Sequence, residues 1–127
     1  MRSYARECVY KYLFSKLFND NEGLFDVLTK DLSNDDKSFA TKLLNYVTQN
    51  EEKYLESICK LAQGYRLERV FNADKCALLI GMAELDNFTE TPTPVIIDEA
   101  VKLVSIFSTE KSTDFVNGIL AQYSKDR

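Results

Sequence analysis

The chain has 127 residues, 45% of them hydrophobic and 28% charged, with a formal net charge of −4. That length suits one compact domain, assigned here to residues 1–127, burying roughly two thirds of its unfolded surface. No apolar run reaches the ~18 residues of a membrane-spanning helix. The N-terminus enters a charged amphipathic segment rather than a signal peptide, so a cytoplasmic protein is expected.

Histidine is absent, which removes the commonest metal ligand and the usual general base at neutral pH. The odd set Cys8, Cys59 and Cys76 has no close pair, so buried thiols are expected rather than a disulfide framework. Charge is unevenly spread. Arg2, Arg6, Lys11 and Lys16 face only Glu7 within residues 1–18, whereas residues 19–36 carry six acidic side chains against Lys30. A general attraction for polyanions is therefore excluded, and a local basic patch near the N-terminus is not.

Residues 2–18 predict a first helix, with Ala5, Cys8, Val9, Tyr12 and Leu13 on its core face. Arg2 and Arg6 are one turn apart and oppose the helix macrodipole. They read either as a solvated helix end or as phosphate contacts, for which a guanidinium's paired donors are suited. Residues 19–23 form a turn by composition. A short helix follows over 24–32, with Leu24, Val27 and Leu28 inward. Ser33 and Asp36 have the spacing of a weak capping box.

Two helices are expected over 35–49 and 51–62, divided at Asn50, the second ending at Gly64. Residues 65–71 read as a connector and Asn72 as the next cap. The segment 73–88 is the most hydrophobic and predicts the central helix. Glu84 is its anomaly, read as a rim carboxylate or one paired with a lysine. Pro92 stops the helix by disfavouring helical geometry in Thr91.

Thr93 as cap and Pro94 at the first helical position open another helix. Ile97, Ala100, Val101 and Val104 share its inner face, which Phe107 extends. A last helix from about Ser112 carries the stripe Phe115, Val116, Ile119, Leu120 and Tyr123. Asn117 and Gly118 interrupt it, and glycine there costs roughly 1 kcal/mol relative to alanine, so close packing or a site is expected. The whole reads as an all-α single compact bundle of about six or seven helices.

Three motifs then stand in order: Ala5-Arg6-Glu7 with Tyr12-Leu13-Phe14; Ala83-Glu84-Leu85 with Ile97-Asp98-Glu99-Ala100-Val101; and Phe115-Val116-Asn117-Gly118-Ile119-Leu120. With them the chain resembles the NusB family of bacterial transcription antitermination proteins over nearly its whole length. The resemblance implies a NusB-like fold and a non-enzymatic role without cofactor or metal. It implies binding of single-stranded boxA-like RNA together with a small-subunit ribosomal protein, within an elongating RNA polymerase complex that supports rRNA transcription.

By position, the resemblance carries RNA binding to Arg2, Arg6, Lys75, Phe115 and Asn117. Asn117 has the alternative of a hydrogen bond to a neighbouring helix. Tyr4, Tyr10 and Phe14 read as packing residues or as stacking surfaces for bases. The chain departs from the family pattern at Leu79, Ala83, Asp98 and Ser108, and its arginine cluster is short. The domain also occurs fused to an RNA cytosine methyltransferase, but no glycine-rich cofactor region or Pro-Cys segment is present here. A homodimer stays open, since some relatives self-associate. Two other classes compete: a helical protein-interaction module with little RNA affinity of its own, and a small carboxylate enzyme using Glu84 and Glu99.

Overall fold

The computed structural model describes residues 2–19, 21–62 and 70–126. Six helices account for them: α1 Arg2–Lys16, α2 Leu24–Thr29, α3 Asn34–Leu61, α4 Asn72–Asn87, α5 Thr93–Phe107 and α6 Glu110–Lys125. The expected all-α bundle is borne out. The expected terminator Gly64 and most of the 65–71 connector lie outside the described residues.

α4 is the axis of the bundle and packs against α1, α3, α5 and α6. Its sequence accounts for this, because every residue from Cys76 to Leu85 is buried. A helix apolar all round has no solvent face and must be enclosed. α5 and α6 form an antiparallel pair on one side of it, and α1 with α3 encloses the other. α2 is an appendage of α1, held partly by the Cys8 thiol donating to the Leu28 carbonyl (3.2 Å). Buried Thr29 donates to the Phe25 carbonyl (2.8 Å). Val27, expected inward, is 61% exposed; six helical residues offer only one narrow inner face.

Several boundaries differ from expectation for local reasons. Asn50 is a kink within α3 rather than a break. Its φ of −120° leaves the helical region, and its side-chain amide donates to the Tyr46 carbonyl (2.9 Å), competing with the backbone ladder. Asn72 is the first residue of α4, with Phe71 ahead of it as the extended cap. Pro92 likewise takes the extended position before α5, so Thr93 begins the helix and Pro94 follows within its first turn. Ser33 caps α3 by accepting from the Asp36 N–H (3.2 Å). Thr109 caps α6 in the same way, accepting from the Ser112 N–H (3.3 Å).

The close helix approach expected at Gly118 is found instead at Gly81. A Cβ on Gly81 would lie 2.6 Å from Leu120 Cδ1, whereas one on Gly118 would meet nothing within 4 Å. Glycine at 81 thus lets α6 settle onto α4, and Gly118 is exposed. Gly118→Ala should raise unfolding stability by about 0.5–1 kcal/mol in urea titrations, through backbone entropy alone. Gly81→Ala should lower it by about 1 kcal/mol, because fully buried Leu120 has little room to turn aside. Equal gains from both would contradict the packing described.

Candidate nucleic-acid interface

Arg6 does not end in solvent. It is 4% exposed and Glu84 is 1% exposed. Arg6 Nε donates to Glu84 Oε2 and Arg6 Nη2 to Glu84 Oε1, both at 2.8 Å. This two-pronged geometry satisfies a carboxylate with parallel bonds. Arg6 Nη1 also lies 3.8 Å from Glu99 Oε1 on α5. That same oxygen accepts from the Ser3 hydroxyl (2.7 Å) and has Lys102 at 3.8 Å. One guanidinium therefore joins α1, α4 and α5.

The solvated-end reading of Arg6 is corrected accordingly, and so is the rim or lysine-paired reading of Glu84. Glu84 and Glu99 do approach one another, as a carboxylate enzyme would need, but the Arg6 cation lies between them, hydrogen-bonded to Glu84 and 3.8 Å from Glu99. Burial pushes the Glu84 carboxyl above its ordinary range, while the hydrogen bonds and charge of Arg6 pull it down. A glutamate inside the most apolar segment was the available signal for a buried cation; the sequence did not identify a partner 78 positions away.

Arg2 remains exposed. Its guanidinium lies 4.7 Å from the centre of the Phe39 ring, with Arg6 at 5.2 Å from the same ring. This is cation–π range. Phe39 is buried against Phe88, so Arg2 is held from beneath while the side chain stays open to solvent.

At the other end of α1, Lys16 lines a cleft of about 270 Å³ with half-buried Lys75 of α4. Leu13, Leu17, Leu55 and Leu79 supply apolar walls, and Thr48 and Glu51 come from α3. Leu79, one of the departures from the family pattern, is thus a floor residue. Cys76 also borders the cleft, and burial pushes its thiol up to about 12.

An aromatic surface adjoins the same stretch of α1. Tyr10 is buried, donates its hydroxyl to the Ala73 carbonyl (3.1 Å) and stacks on Phe107 at 5.3 Å. Burial raises its hydroxyl pKa, as do the neighbouring Cys76 and Asp74. Phe14 and Phe18 pack at 5.3 Å and are 37% and 62% exposed. Lys11, Phe14, Ser15 and Phe107 border an apolar hollow of about 250 Å³. Tyr10 is therefore a packing residue, while Phe14 and Tyr4 present surface.

On α6, Phe115 is half-buried against the core and Asn117 is exposed. Among the described residues Asn117 has no hydrogen-bond partner on another helix, so its structural alternative is not realised. Phe115 and Gly118 border a groove of about 660 Å³ with Lys60, Asp114, Gln122 and Asp126. α6 packs on α5, α4 and α3 and has no extended contact with α1. Phe115 and Asn117 therefore stand on a helix that reaches α1 through α3, α4 and α5.

The α5–α6 corner is pinned from below. Ser108 donates to buried Asp74 Oδ1 at 3.3 Å and shares a hydrogen bond with Ser112 at 2.8 Å. Ser108, a departure from a frequent glycine, thus tethers the corner to the first turn of α4. None of these polar partners was anticipated from the sequence.

With this geometry in view, a family model described as the NusB family matches residues 1–125. The chain belongs to the NusB family. A transcription antitermination protein NusB from Natranaerobius thermophilus is 31% identical over 128 residues, covering 95% of this chain and 92% of the relative. The structure of T. maritima NusB superposes with a TM-score of 0.92 at 27% identity, over 100% of this chain and 92% of that one. A chain from a crystal structure of antitermination factors NusB and NusE in complex with dsRNA gives a TM-score of 0.85 at 28% identity, over 99% and 97%.

Two outcomes follow from the local chemistry. Glu84→Gln should cost about 3–5 kcal/mol in urea unfolding, because it strips a buried guanidinium of its counter-charge. Joint replacement of Arg6 and Glu84 by methionine should recover most of that loss; a double variant as unstable as the single one would refute the account. For the thiols, only Cys59 is exposed, contrary to the expectation of three buried ones. At pH 8 iodoacetamide should modify Cys59 readily, and Cys8 and Cys76 only on unfolding. Since the folded Cys76 thiol keeps its proton to about 12 against an ordinary 9.0, its contribution to stability should fall as pH rises through that interval.

Proposed function

We propose that this chain is a non-enzymatic antitermination factor of the cytoplasm. It binds single-stranded boxA-like RNA together with a small-subunit ribosomal protein and supports rRNA transcription in the elongating polymerase complex. The observation that carries the reading is the near-complete structural match to a chain from the complex of NusB and NusE with dsRNA. The motifs that carry the family resemblance lie on α1, α4, α5 and α6 of one fold.

In this reading Arg2 and Lys75 hold phosphates. Phe115 and Asn117 offer a second contact on α6. Arg6 contributes through the seating of α1 on α4, since its Nε and Nη2 donate to Glu84. Phosphate contacts orient RNA without reading its sequence, and unstacked bases of a single strand are what a protein can read. The partner protein fits the exposed Phe14, Phe18 and Phe107 surface, where Ile106 is also 61% exposed. Exposed aromatics around a hollow are the composition of a protein-binding patch. A chain of net charge −4 needs such a partner to gather positive potential around the RNA.

RNA titrations with and without the ribosomal partner, at two salt concentrations, test the proposal. Binding should be tight and salt-dependent only with the partner. Arg2→Ala should weaken it about 3- to 10-fold and reduce the log–log salt slope by about 0.7, the loss of one phosphate contact to a single strand. Weak, salt-insensitive binding under both conditions would refute it and favour a protein-interaction module with little RNA affinity.

A further inference from the structure

The cleft at the C-terminal end of α1 contains an arrangement that protein packing leaves unbalanced. Lys16 and Lys75 both line a space of about 270 Å³. Neither forms an ion pair among the described residues, although Lys11, Lys53 and Lys102 each have a carboxylate within 4 Å. Two lysines lining one cleft bring like charges to the same part of the surface, where they repel, more strongly where the surroundings are apolar. Here those surroundings are Leu13, Leu17, Leu55 and Leu79. An anion between the lysines would turn this repulsion into attraction.

Glu51 borders the same space without pairing to either lysine, and Thr48 adds a hydroxyl whose proton goes to the Leu44 carbonyl (2.9 Å), leaving its oxygen as an acceptor. The geometry points to a nucleotide site of single-stranded RNA: a backbone phosphate bridged by Lys16 and Lys75, with its base lying against the leucine walls. This rests on the proposed RNA-binding function and adds Lys16 and the apolar cleft to it. The charge decides the class of occupant. Two free cations select an anionic backbone over a basic ribosomal protein, and the leucines favour an occupant with an apolar face over a bare inorganic anion. Glu51 opposes the phosphate and limits its affinity, which makes the site part of a longer RNA track rather than a separate anchor. Along α1, Lys16 lies fourteen residues from Arg2, about 21 Å at the rise of an α-helix. The two contacts therefore serve different nucleotides of one strand.

The test uses the full chain with its ribosomal partner and a fluorescein-labelled boxA-like single-stranded RNA. Lys16→Gln, Lys75→Gln, their combination, and Glu51→Gln are compared by anisotropy across a salt series, with thermal melts to establish that each variant is folded. The double lysine variant should bind at least 10-fold more weakly, with the salt slope reduced by about 0.7 for one lost phosphate contact. Glu51→Gln should bind more tightly, an effect that loss of folding cannot produce. Unchanged affinity and slope in all variants, with the unaltered complex binding normally, would overturn the cleft assignment together with the phosphate contact given to Lys75 above, and leave RNA binding by the complex intact. So would a loss of partner affinity in the absence of RNA with the salt slope unchanged, which would make the cleft a protein contact. Failure of the unaltered complex to bind the RNA at all would overturn both.

Discussion

The Arg6–Glu84 ion pair sets the position of α1, and much of the surface follows from it. Neither charge has access to water, and removing both from solvent is expensive. Their attraction recovers that cost only with close geometry and filled donor sites. Two bonds at 2.8 Å supply the geometry, and Glu99, 3.8 Å from Nη1, adds a second counter-charge. Because hydrogen bonds are directional where apolar contact is not, the pair specifies rotation as well as depth. A slide of α1 by one turn would still bury apolar side chains such as Val9 and Leu13, but would separate Arg6 from Glu84. Register is thus the property an apolar substitute for this pair would be least able to supply.

This constraint divides two arginines that look equivalent on the chain. Arg6 faces inward and binds helices together; Arg2, one turn earlier, stands over the Phe39 ring with its charge toward solvent. Turning α1 this way also carries Lys11, Phe14 and Lys16 to the outer surface. Its inner face is spent on α4 while its outer face alternates cations with aromatics. The charge available for an RNA is consequently less than a count of basic residues suggests. It is also strung along the helix, at Arg2, Lys11 and Lys16, rather than gathered at its start.

Helix identity was legible because apolar spacing is a local property. The inner faces of α5 and α6 agree with the three- and four-residue intervals of Ile97, Ala100, Val104, Val116, Ile119 and Tyr123. The burial of α4 followed from its being apolar all round. What was not legible depended on contacts between distant segments. Gly118 and Gly81 have the same helix penalty, yet only Gly81 meets another helix. Cys59 was expected inward by its spacing within 51–62, but only Tyr54, Ile58 and Ala62 of that stretch are buried, and Cys59, next to Ile58, falls on the exposed side. Phe115 and Asn117 were placed with the arginines by family motif, and no sequence spacing could reveal that α4 and α5 are the helices that contact both α1 and α6.

The corner between α5 and α6 extends the same reasoning to α6. Asp74 stands in the first turn of α4, where a negative charge meets the positive end of the helix dipole, and its carboxylate accepts from Ser108. Ser108 and Thr109 both reach Ser112, in the first turn of α6. The start of α6, and with it the direction in which Asn117 projects, is therefore referred to α4, as the rotation of α1 is referred to it through Glu84. Asp74 and Glu84 sit near opposite ends of one helix. Each takes a polar tether from a different neighbour, so α4 acts as the common ruler against which α1 and the start of α6 are set. Motion of α1 relative to α6 would require one of these buried carboxylates to lose its partner, a cost that apolar sliding alone would not impose.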